Sequence, residues 1–116
     1  MMHAKFPFDP PGLNITERFT NLSNRFPNIK WVLAHAGGSA VTTSDQKPFF
    51  EHSASGEAAK EIPQVYLETC SSATAFNCIE AAVDAAGEDK VLFGTDMTLM
   101  DARQQIAKIT TSTLSE

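Results

Sequence analysis

Three polar residues in this 116-residue chain stand where a short apolar run gives way to a turn: His35, Glu68 and Asp96. An imidazole and two carboxylates are the side chains from which first-row metal sites and acid–base pairs are built. His35 is followed by Ala36-Gly37-Gly38, and a glycine pair there lets the backbone come close to a ligand. Taken singly, each residue has a bland reading. A histidine near a strand end is commonly a hydrogen-bonded structural group, and an aspartate after Gly94-Thr95 commonly caps a helix or forms a turn. Their shared placement raises them above that. All three close an apolar run, and they recur at intervals of roughly 30 residues, near the ~31 per unit of an eight-unit strand–helix barrel.

The elements that must position them follow from local pattern. Residues 1–13 contain Pro7, Pro10 and Pro11 without periodicity and read as a loop. Asn14 is a good helix N-cap, and Glu17 three residues on completes a capping box. Ile15, Phe19, Leu22 and Phe26 then share one helical face, and Pro27 ends it. Ile29 to Ala34 is an apolar run rich in strand formers. Residues 39–63 are punctuated by Ser, Thr, Gly and Pro, with a short helix near Glu57–Glu61. Val65 to Thr69 is the second strand. Ser71 or Ser72 caps a helix with Phe76, Ile79, Val83 and Ala86 on one face, and Gly87 stops it. Val91 to Gly94 is the third strand. Asp101 caps a last helix whose Ile106 and Ile109 are expected to turn inward.

Strands alternating with helices imply parallel strands joined by helical crossovers, and uninterrupted apolar runs imply strands covered on both faces. Right-handed crossovers keep consecutive strands adjacent and their carboxyl ends at one rim. His35, Glu68 and Asp96 are therefore expected at the same rim, where parallel α/β folds build their sites.

At these residues the chain resembles a known family. Phe26-Pro-Asn-Ile-Lys-Trp-Val-Leu-Ala-His35-Ala-Gly-Gly38 is similar to the sixth-strand region of the metal-dependent amidohydrolase-related proteins, a group that includes aminocarboxymuconate-semialdehyde decarboxylase. Lys90-Val-Leu-Phe-Gly94-Thr-Asp96-Met resembles their eighth-strand motif, with Val65-Tyr-Leu-Glu-Thr69 between as the seventh strand. The likeness is clearest over residues 14–110. It implies an α/β fold, a partial (β/α)8 barrel comprising about strands 5 or 6 to 8 with their helices. It implies a metal-dependent hydrolase or decarboxylase acting on a small organic acid or amide, with a divalent cation, zinc foremost. Asp96 matches the last-strand aspartate that ligates or flanks the metal and helps to activate water. His35 matches the sixth-strand histidine, a metal ligand or an acid/base near the substrate. His3 answers either to the fifth-strand histidine ligand or to a disordered terminal histidine.

The sequence also departs from the family. The first-strand His-x-His pair is absent, since His3, His35 and His52 are the three histidines and no two are two residues apart. The resemblance thus covers only the C-terminal part of such a barrel, and the chain by itself is expected to have no appreciable turnover. Self-association or pairing with a complementary half-barrel is the expected consequence. Two other readings stand beside the enzyme: a non-catalytic remnant that oligomerises, and a small open sheet binding an anion at Gly37-Gly38.

Composition narrows the remaining classes. A net charge of −5 with scattered basic residues argues against nucleic acid. No apolar run approaches the ~20 residues of a membrane span, and the start lacks a secretory pattern, so a cytoplasmic location is expected. Cys70 and Cys78 are then expected as reduced thiols, and the sequons at Asn14 and Asn21 as chance matches. No His–Asp partnership is readable around Cys70 that would make it a nucleophile, and His52 beside Phe49-Phe50 reads as an exposed loop residue.

Overall fold

The computed structural model describes residues 14–37, 54–70 and 78–114. His3, Gly38, His52, the cap at Ser71 or Ser72, and Phe76 lie outside the described residues.

Helix α1 spans Ile15–Arg25, and the Asn14 side chain accepts the Glu17 N–H at 3.0 Å, the N-cap that the capping-box pattern predicts. Its buried face carries Ile15, Phe19 and Ser23. Strand β1 is Trp31–Leu33, shorter than the apolar run that contains it. Ile29 drops out because its N–H closes a turn onto the Phe26 carbonyl. The chain then turns through Ala34–Gly37, where His35 and Ala36 take left-handed backbone angles. Helix α2 spans Ala54–Glu61 and buries Ala58 and Ala59 completely. Small side chains there let α2 lie close against α1.

Strand β2, Val65–Glu68, is the centre of a three-stranded sheet of order β1-β2-β3. Both pairings are parallel, with Leu33 opposite Leu67, Leu67 opposite Val91 and Glu68 opposite Leu92. Helix α3, Cys78–Ala86, buries Ile79, Ala82 and Ala86. Gly87 ends it at φ 93°, a left-handed angle that a side chain would resist, and its N–H caps Val83 at 2.7 Å. A single turn at Glu88–Lys90 leads into β3, Val91–Leu92, and Asp101 caps helix α4, Ala102–Thr110.

The core is the layer between helices and sheet: Ile15 and Phe19 from α1, Ala58 and Ala59 from α2, and Leu33, Val65 and Leu67 from the strands. Side chains alternate across a strand, so Tyr66 and Glu68 lie on the face away from that layer. Lys90 ties the entry of β2 to β3. Its ammonium donates to the carbonyls of Ile62, Pro63 and Val65 at 3.0–3.2 Å and stands 4.9 Å from the Tyr66 ring centre.

Helix α4 departs from expectation. Gln105 is its buried residue, whereas Ile106 and Ile109 are 49% and 37% exposed. The two isoleucines do face α3 and β3, but across an open hollow of about 390 Å³ lined also by Ile79, Val83, Val91 and Phe93. Among the described residues, nothing fills that space, and the two isoleucines are left partly exposed. Among the described residues, no helix is long and apolar enough to cross a membrane.

Candidate metal centre

Because the three strands are parallel and paired in register, their carboxyl ends lie side by side, and the residues that follow them meet at one rim. His35 follows β1 by two residues, Cys70 follows β2 by two, and Asp96 follows β3 by four. One donor atom from each of His35, Cys70 and Asp96 lies within 4.8 Å of the other two. Cys70 is buried, and the other two are half-buried.

The backbone bends to allow this. Among the described residues, the non-glycine residues with positive φ are His35 at 58°, Ala36 at 50° and Asp96 at 53°. Histidine and aspartate tolerate that region better than most residues, whereas alanine has no side-chain hydrogen bond to offset it. Such angles cost of order 1–3 kcal/mol each and persist where the surroundings over-determine them. All three belong to the cluster or adjoin it. The Asp96 turn is held by its carbonyl, which accepts the N–H groups of Leu99 and Met100 at 2.9 and 3.1 Å.

Hydrogen bonds fix the side chains. His35 Nδ1 lies 2.6 Å from the Cys70 carbonyl oxygen. A carbonyl only accepts, so Nδ1 carries the proton and the lone pair of the neutral ring sits on Nε2. A carbonyl partner of this kind orients metal-bound histidines. Glu68 is 5% exposed, and its carboxylate accepts both the Cys70 N–H, at 3.0 Å, and the Cys70 thiol. Glu68 in turn occupies the place of a missing side chain: a Cβ at Gly94 would overlap Glu68 Oε1 outright. The Gly94 N–H donates to Thr69 Oγ1 at 3.3 Å, which seats the β3 exit against the β2 exit. Gly94 is therefore glycine for space.

Burial pushes the Cys70 thiol up to about 12. The hydrogen bond to Glu68 and the negative charges of Glu68 and Asp96 add to this, against a lowering hydrogen bond from the His35 backbone. Around neutral pH, Cys70 is a protonated, poorly nucleophilic thiol. Cys78 is also a free thiol raised by burial.

The donor set suits a first-row divalent cation. Imidazole nitrogen, thiolate sulfur and carboxylate oxygen are the three ligand types of zinc, and three protein ligands leave one position open, as catalytic sites require. A cation among them would displace the thiol proton, since a coordinated thiol is deprotonated outright.

Of the residues marked out in the sequence, His35 and Asp96 come together at this rim. Glu68 is present one layer back, aimed at Cys70 rather than at the space between the donors. His3 lies outside the described residues. Cys70 is read from sequence only as a nucleophile without a His–Asp partnership, whereas the structure sets it beside His35 and Asp96. The available signal was its offset, since it follows β2 by as many residues as His35 follows β1.

A family model described as Amidohydrolase matches residues 16–109, most of the chain. No curated protein and no solved structure matches it.

Proposed function

The chain belongs to the amidohydrolase family, and from that premise we propose that it carries the sixth- to eighth-strand arm of a metal-dependent barrel enzyme, a hydrolase or decarboxylase of small organic acids or amides. The observation that supports this most is the approach of His35 and Asp96, from two different strand ends, to within 4.8 Å of each other. In this reading β1, β2 and β3 are strands six to eight of the barrel, and zinc is the cation. His3, which answers either to the family's fifth-strand histidine or to a terminal histidine with no ligand role, is not required for this pair.

A divalent cation at this rim supplies Lewis acidity, polarising a carbonyl or carboxylate and acidifying water. The residues do the rest. His35, its ring held by the Cys70 carbonyl, would hold the cation through Nε2. Asp96 would hold it through its carboxylate and, in the hydrolytic case, would accept a proton from attacking water. In the decarboxylating case no water adds: the carbon–carbon bond would break, carbon dioxide would leave, and the carbon left with the electron pair would take up a proton. The two chemistries separate by product: carbon dioxide in one, a carboxylate with its amine or alcohol in the other.

The test is metal stoichiometry. The purified 116-residue chain, dialysed against Zn²⁺ and assayed by elemental analysis, should hold one ion. His35→Ala and Asp96→Ala should each bring it close to zero with unchanged far-ultraviolet circular dichroism. One ion retained in both variants would put the cation elsewhere and remove this reading.

A further inference from the structure

We infer that Cys70 is a third protein ligand of the cation, its sulfur completing a nitrogen–sulfur–oxygen set with His35 and Asp96. This rests on the reading of the His35 and Asp96 site above. It adds a donor that neither the strand-end motifs nor the family match assigns.

Four observations carry it. First, the Cys70 donor atom is already one of three that lie within 4.8 Å of one another. Metal bonds of 2.0–2.3 Å place tetrahedral donors roughly 3.3–3.8 Å apart, so residues that already meet this closely need side-chain turns, including one that brings His35 Nε2 to the cation, rather than a backbone rearrangement. Second, Cys70 and His35 are tied to each other independently of any cation. The Cys70 carbonyl accepts from His35 Nδ1 at 2.6 Å, and the sulfur lies 3.6 Å from the same nitrogen. The bond that fixes the imidazole tautomer for metal binding therefore also fixes the residue that brings the sulfur.

Third, Glu68 holds the Cys70 backbone and can take the thiol proton. One carboxylate oxygen accepts the Cys70 N–H, a bond that a coordinated thiolate keeps. The other accepts the thiol in the metal-free chain, so it is placed to receive the proton that the sulfur gives up on coordination. The carboxylate stands in space that Gly94 leaves open. Glu68 is thus a positioning residue. Fourth, the three donors come from three separate strand ends, which makes the cluster a product of the sheet register and not of one local turn.

The sulfur also narrows the cation. Thiolate favours zinc, cobalt, iron and copper and disfavours Mg²⁺, Ca²⁺ and Mn²⁺, which prefer oxygen donors.

Cobalt is the probe, because Co²⁺ takes zinc sites and reports sulfur ligation by a near-ultraviolet sulfur-to-metal charge-transfer band, separate from its visible ligand-field bands. Titration of the full chain with Co²⁺ should give both bands, saturating together at one ion. Cys70→Ser should lose the charge-transfer band and weaken binding by about tenfold or more, the least expected when one ligand is removed. Cys78→Ser should change neither. A second readout needs no variant: X-ray absorption at the zinc edge of the Zn²⁺-loaded wild-type chain should show one sulfur neighbour at about 2.3 Å. Visible bands that depend on His35 and Asp96, without a charge-transfer band and without a sulfur neighbour, would overturn the sulfur ligand while leaving the two-residue site standing. A charge-transfer band that persists in Cys70→Ser would overturn it as well. No saturable Co²⁺ binding would overturn both.

Discussion

Glu68 and Gly94 occupy one space between them. The carboxylate sits where a β-carbon at position 94 would be, so Gly94→Ala forces Glu68 out of its pocket and away from the Cys70 thiol. The expected cost is about 1–3 kcal/mol, typical of overpacking a closed site, read from urea midpoints. Combining Gly94→Ala with Glu68→Ala should return part of that loss, since the second change removes the atoms being struck. Equal, fully additive losses would show that the two positions do not compete. Cys70 carries a pH consequence of its own. Its folded value is raised from 9.0 to about 12, so the fold favours the neutral thiol. That contribution is complete below about pH 9 and is lost as pH rises from there toward 12. Metal-free wild-type chain should therefore lose stability relative to Cys70→Ser above pH 9 and track it below, in thermal melts across that range. Parallel curves would mean that burial does not penalise the thiolate.

At the scale of elements, the strand ends are held by few but specific bonds. β3 has two residues, too few for a strand to be secured by its ladder, and its approach depends on Lys90. The Lys90 ammonium ties three carbonyls on the β2 side and faces the Tyr66 ring, with Lys30 at 5.4 Å from the same ring. Lys90→Met keeps most of the aliphatic stem and removes the charge-assisted bonds. It should cost about 1–3 kcal/mol in chemical denaturation, because charged hydrogen bonds are worth more than neutral ones and the carbonyls lose their donor. A change within about 0.5 kcal/mol, the range of ordinary surface substitutions, would show that water replaces the ammonium freely.

Viewed whole, the described sheet has three strands, and the outer edges of β1 and β3 carry no partner among the described residues. The segment from β3 onward also exposes apolar side chains: Phe93, which lines the hollow with Ile106 and Ile109, is 52% exposed, Met97 76% and Leu99 82%. Exposed strand edges recruit other strands, and contiguous apolar surface drives association. The 116-residue chain is expected to self-associate, with a mass by light scattering that rises with concentration, and Phe93→Glu should lower it. A monomer at every concentration, unaffected by that change, would mean that the edge is satisfied within the chain. The donor types bear on activity. The rim cluster offers a single imidazole, and these 116 residues hold no His-x-His pair, so holding a cation is expected but the chain alone should show no appreciable release of carbon dioxide or amine from small organic acids and amides. Turnover abolished by His35→Ala would contradict this, because it would mean that the donors present suffice.

What the sequence determined by itself is whatever depends on neighbours along the chain. The Asn14 cap, the Gly87 stop, the Asp101 cap and the alternation of apolar runs with helical faces are local, set by 3.6- and two-residue periods and by orphan backbone groups, and all are legible without coordinates. Parallel strands follow from that alternation, and so does the expectation that His35 and Asp96 end their strands at one rim. Tertiary structure decided which side chains meet. Cys70 joins His35, 35 residues away, only because Leu33 pairs with Leu67 and not one residue to either side. A slip of one would turn Glu68 to the opposite face. The left-handed angles at His35, Ala36 and Asp96 are likewise invisible to any period, since nothing in those residue types demands them. The inward residue of α4 fell to Gln105 rather than Ile106 or Ile109 because burial depends on what fills the space opposite a helix, and no described residue fills that space. Register, backbone strain and the filling of space are properties of the assembled chain, and they convert three strand ends into one candidate site.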